Sequence, residues 1–252
     1  MTGRRRPVRR GGQGLVAVLQ LCDSGFPAGL FTQSAGLETA FAEERLRGPD
    51  DLRAWVADAL AWSVGPLDAA ATAECWRAAG RGDTARAIAC DARIEAMRAA
   101  REPREASARS GRGMLALAAG LGAREAAPGH AARPARAVLS AFAGAVRAGR
   151  TPGHYAAALG LVGRAWGAPL EPLLAGELFA AAAGVTAAGV RLGAADHVAA
   201  QRILVGLRPE IARLARRAAA PDAGPRGWTA FAPAAEIAAM RHEAGRMRMF
   251  AT

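Results

Sequence analysis

Hydrophobic residues recur along most of this chain at helical spacing, in runs separated by Gly/Pro punctuation. Leu52, Trp55, Val56, Ala59, Leu60 and Ser63 follow the i, i+3, i+4, i+7 pattern of one core-facing stripe. The pattern predicts a short first helix over Leu15–Cys22 and a second over Ser34–Arg45. A third starts at Asp50 or Asp51 and is stopped by Gly65-Pro66. Further helices are expected at 67–79, 83–101, 104–121, 138–147 and 154–166. Residues 169–192 carry only Glu171, Glu177 and Arg191 as charges, so this helix is expected at the centre of a bundle. Helices at 194–208 and 209–218 are expected to be split or kinked at Pro209, and a last helix spans 234–246. Residues 122–134 and 219–233 read as connections. No strand and no internal repeat is indicated. The expected fold is all-α, a bundle of about ten helices in one domain over 13–252, preceded by a disordered basic tail at 1–12.

One stretch departs from this pattern. Asp23–Glu38 sets Gly25, Pro27, Gly29 and Gly36 among Phe26, Phe31, Ser24, Thr32 and Ser34. Glycine and proline break the helix, and Ser34 is placed to cap the next one. The two aromatic rings point to an ordered or partner-covered turn rather than a solvated linker.

Composition adds a constraint on partners. Hydrophobic residues make up 52% of the chain but aromatics only 5%, which favours closely packed alanine-rich helices over sheet. The net charge is +11, and every basic residue is arginine. Five arginines (Arg4, Arg5, Arg6, Arg9, Arg10) lie in the N-terminal tail and account for nearly half of it. No nucleic-acid-binding motif accompanies the charge, and aromatics for base stacking are scarce, so no nucleic-acid partner is expected. The tail looks like a twin-arginine leader only superficially: its apolar run is short and interrupted by Gln20. No membrane association is expected, and the cytoplasm is the expected location. Cys22, Cys75 and Cys90 show no CxxC spacing and are expected to be free buried thiols.

The search for chemistry yields no catalytic, cofactor-binding or metal-ligating residues. His130, His154, His197 and His242 have no second His at i, i+4 and no neighbouring Cys. His154 and His197 read as surface residues at helix starts. There is no lysine for a Walker loop and no G-x-S-x-G elbow. One alternative is kept: a helical metal-dependent enzyme whose site assembles from dispersed residues, His154, His197 and His242 with acidic groups. The clearer signal is interaction surface. Ile237, Met240, Ala244 and Met247 form an apolar stripe near the C-terminus, and methionine suits adaptable recognition surfaces.

These segments together resemble one family. Pro27–Glu38 is similar to the P-x-G-x-F-[ST]-x-S-x-G-L-E signature of the urease accessory protein UreF family. Arg101-Glu102 through Leu115, Val190–Gly193 with Gln201–Leu204, and Glu236–Glu243 (the family's E-I-A-S-M-R-H-E) resemble further family segments in the same order. The chain departs at Gln33 and at its C-terminus, where the family's final Arg is absent. The resemblance implies an all-α homodimer with no enzymatic activity. It would bind UreD (UreH in some systems), recruit the nickel GTPase UreG and dock on apo-urease. Nickel would pass through rather than remain bound. Phe26, Pro27, Phe31, Ser34 and Glu38, with Met240, Arg241, His242, Glu243, Arg248 and Phe250, are the residues expected to bind the partner, within a C-terminal segment of about 234–252. Arg191 and Gln201 are expected near the dimer contact or an inner path.

Overall fold

The structure is a computed structural model that describes residues 10–26, 36–121, 133–221 and 227–243. Eleven α-helices and one π-helical stretch make up these residues. They are α1 (Arg10–Leu21), α2 (Leu37–Ala42), α3 (Pro49–Ala59), the π-helical Leu60–Ala69, α4 (Ala70–Arg81), α5 (Thr84–Met97), α6 (Arg101–Leu121), α7 (Arg133–Arg147), α8 (Tyr155–Ala165), α9 (Leu170–Arg191), α10 (His197–Ala219) and α11 (Pro233–His242). The all-α expectation is borne out, and no strand occurs among the described residues.

Two apolar clusters form the core. One joins α1, α4, α5, α6, α7 and α8 around Phe142, Ile94 and Leu161. The other joins α2, α3, α9 and α10 around Leu52, Leu60 and Leu174. The most central helix is α8, not the nearly uncharged α9: nine of the eleven residues of α8 are buried. Of α9, Leu173, Leu174, Glu177 and Leu178 turn inward while Phe179 is exposed. Its length and hydropathy alone would suffice to cross a membrane. Alanine content explains the inversion, because small side chains let α4 and α8 approach closely. A Cβ on Gly160 would stand 2.4 Å from the Thr72 carbonyl oxygen, so only glycine fits that crossing.

The two prolines expected to interrupt helices do so differently. Gly65-Pro66 does not stop the helix. The chain widens into the π-helical stretch and runs on into α4. Pro66 has no N–H to return to the Trp62 carbonyl, and that carbonyl instead accepts the Phe231 N–H at 2.9 Å. Pro209 lies within an unbroken α10. It sits on the exposed face, where water can satisfy the carbonyl it leaves free. The Asp196 side chain caps α10 at its start, and the Arg77 guanidinium donates to the Ala218, Ala219 and Ala220 carbonyls at its end. Helix α1 starts at Arg10, inside the segment expected to be disordered, and α2 starts at Leu37 rather than Ser34. The three cysteines are free; Cys75 and Cys90 are buried and Cys22 is half-buried.

Candidate functional site

The site is built where α2, α6 and α11 meet. Gly36 enters α2 with φ 79°, a left-handed turn suited to glycine, and packs against Ala235, Ala238 and Ala239 of α11. This close approach brings Glu38, in the first turn of α2, to His242 at the end of α11. His242 is only 4% exposed. Its Nδ1 lies 2.7 Å from Glu102 Oε2 on α6, and its Nε2 lies 3.1 Å from Glu38 Oε2. A neutral ring has one N–H, so the pair of contacts needs a further proton on the ring or on a carboxyl group. The two carboxylates occupy opposite ring nitrogens and so do not converge on one point where a metal could sit.

The neighbouring residues extend the junction. Glu243 accepts the backbone N–H groups of Arg101 and Glu102 at 3.1 and 3.3 Å, so α11 supplies the N-terminal cap of α6. Arg101 Nε adds a further bond to Glu243 at 3.2 Å. Burial pushes the Glu243 carboxyl up, but the Glu102 amide and the Arg101 guanidinium outweigh it and hold the carboxyl below its ordinary value. Arg241 makes two contacts with Glu43 at 3.0 and 3.1 Å.

A cavity of about 220 Å³ lies beside this junction, beneath α11 and the strap 228–232 that leads into it. Alanine is the commonest residue in its lining, but Asp68, Arg98, Tyr155 and Glu177 reach the same space. Arg98 pairs with Asp68. Glu177 is fully buried, and desolvation, reinforced by Asp68, pushes its carboxyl well above the ordinary carboxylate range. Thr72 Oγ1 stands 2.9 Å from Glu177 Oε1 and 3.1 Å from the Ala156 carbonyl. One hydroxyl hydrogen serves only one of these, and a protonated Glu177 supplies the other. Glu177 Oε2, Tyr155 Oη and Arg98 Nε have no hydrogen-bond partner among the described residues.

The sequence-derived residues are distributed as follows. Glu38, His242 and Glu243 are brought together and bond within the chain. Met240 and Arg241 stay on the outer face of α11. Phe26 is half-buried against the α1/α8 cluster. Pro27, Phe31, Ser34, Arg248 and Phe250 lie outside the described residues. Arg191 and Gln201 are exposed on α9 and α10. His154 precedes the first turn of α8 and is fully buried, not a surface residue; Asp91 accepts the N–H of His154 and of Gly153 at 2.7 Å each, and the His154 ring faces Glu95 at 2.9 Å. His197 is exposed at the start of α10, as expected. The three histidines of the alternative reading thus have separate surroundings, and no cluster of three potential ligands able to hold a metal occurs among the described residues. Glu102, Arg98 and Glu177 were not singled out from sequence. Glu102 had a local signal in the Arg101-Glu102 pair, whereas Glu177 had only the oddity of an acid in an apolar helix.

The fold and the junction define an all-α helical bundle in which α2, α6 and α11 meet at a buried histidine between two carboxyl groups. The comparisons name the family within that class. The UreF family model matches residues 46–208. Urease accessory protein UreF of Cereibacter sphaeroides is 32% identical over 241 residues, covering 94% of this chain and 98% of its own. The UreF proteins of Azoarcus sp. (31% over 237 residues, 94% of each chain) and Bradyrhizobium sp. (30% over 249 residues, 98% of this chain and 96% of its own) are similar. The chain belongs to the UreF family of urease accessory proteins, which are not enzymes.

Proposed function

We propose that this chain is a non-catalytic scaffold and regulator in the assembly of the urease nickel centre. It binds UreD (UreH), recruits the nickel GTPase UreG and presents the complex to apo-urease, acting in the cytoplasm as a homodimer. Nickel is transient cargo and is not held stably. One observation carries the reading: segments 36–43, 101–102 and 233–243, far apart in sequence, converge at His242. In the docked form one side of α11 faces the bundle, and its outer side is left to a partner. On that outer side Ile237 and Met240 are 47% and 44% exposed, with Arg241 beside them. Anchors of this kind contribute roughly 2 kcal/mol or more each at an interface core. Pro27, Phe31, Ser34, Arg248 and Phe250 complete the proposed partner surface together with Phe26. Arg191 and Gln201 are proposed for the dimer contact or an inner path.

The test is co-purification with UreD and UreG. Met240→Asp and a truncation lacking 244–252 should lose UreD while keeping the helical circular-dichroism spectrum. Failure of the full chain to hold either partner would sink the proposal.

A further inference from the structure

We infer that residues 229–243 form a lid over the Glu177 cavity, able to lift off as a unit while the bundle stays folded. The inference concerns the chain alone and does not rest on the accessory-protein reading.

Trp228 is the fixed end. It is buried in the α1/α8 cluster, with Arg93 stacked 5.5 Å from its ring centre. Beyond it the usual amphipathic logic is reversed. The large apolar side chains Phe231, Ile237 and Met240 point to solvent. The side chains that face the cavity from this segment are Ala230, Ala232, Ala235 and Ala239, with Glu236. Alanines remove little apolar area from water, so hydrophobic burial holds this segment weakly.

What holds it is polar and local. Phe231 N–H donates to the Trp62 carbonyl, and Thr229 N–H reaches the Pro66 carbonyl at a long 3.4 Å. At the far end are the His242 contacts, the Arg241 contacts with Glu43, the Glu243 cap on α6 and the close approach of Gly36 to the α11 alanines. All of these bonds can be exchanged for bonds to water, and Ala230 is the one residue of the segment packed on an apolar cluster. A segment held so is drawn from the low-stability end of a structure and opens below the global unfolding free energy. Lifting it uncovers Ser107, 6% exposed in the closed form, and with it the space that Glu177 and Tyr155 line.

The experiment is native-state amide exchange on the full chain, joined to thiol labelling of the Ser107→Cys variant located by peptide mass spectrometry. Amides of α11 should exchange at least about a hundredfold faster than those of Leu159–Val162 in α8. His242→Ala, and separately the milder Glu38→Ala, should speed both α11 exchange and labelling at position 107 by about tenfold or more, the equivalent of one lost charged hydrogen bond. Labelling of the buried Cys75 and Cys90 should not change, since they report global unfolding. Exchange of α11 in step with α8, or labelling at position 107 that tracks Cys75, overturns the lid.

Discussion

His242 Nδ1 and Glu102 Oε2 stand 2.7 Å apart across 140 residues of sequence. Both side chains are buried, so the contact cannot be discounted as a solvent-screened surface pair. Removing one partner leaves the other buried and unsatisfied, which costs more than the bond itself contributes. His242→Ala should therefore lower stability by about 1–3 kcal/mol in urea unfolding. The loss is capped at the docking free energy of the lid. Far-UV ellipticity should fall by no more than the ten residues of α11 account for.

Glu177 predicts a pH dependence of opposite sign to the usual carboxylate. Its folded-state value is raised, so the folded chain keeps a proton that the unfolded chain releases. The stability is fully present below the unfolded value of about 4.3 and is lost as pH rises toward the folded one. Glu177→Gln keeps the shape and removes the titration. Its urea midpoint should match the parent near about pH 4 and exceed it as pH rises above the unfolded value.

The α4/α8 crossing predicts a steric effect. In Gly160→Ala the new methyl would meet the Thr72 carbonyl at 2.4 Å, and backbone cannot swing aside as a side chain could. Overpacking of this kind costs about 1–3 kcal/mol. A thermal midpoint equal to the parent's would mean the two helices can separate without loss.

Pro66 and Phe231 form a further test. Pro66→Ala restores an N–H that can return to the Trp62 carbonyl and compete with the Phe231 N–H. The Phe231 amide should then exchange about tenfold faster, the size expected from weakening one hydrogen bond by roughly 1.4 kcal/mol. An unchanged Phe231 amide would show that the strap does not depend on the proline.

Helical identity was legible along the chain because it is a local property. The 3.6-residue spacing of Leu52, Val56 and Leu60, the Asp83 and Asp196 caps and the Gly82 stop are each written within a few residues. The same locality misled at prolines. Whether Pro66 or Pro209 ends a helix depends on what receives the freed carbonyl, and at Pro66 the acceptor's partner, Phe231, is far away in sequence.

The sequence by itself determined the all-α class, the free thiols and the family, and it singled out both Glu38 and His242 as residues of interest. Only the tertiary structure decided what those residues do inside the chain. His242 is an ordinary histidine until α2 and α6 bring a carboxylate to each of its nitrogens. Glu177 is one acid in an apolar helix until burial beside Asp68 holds its proton. Protonation and burial depend on groups that chain folding brings within a few ångströms, and no local pattern of residues encodes that distance.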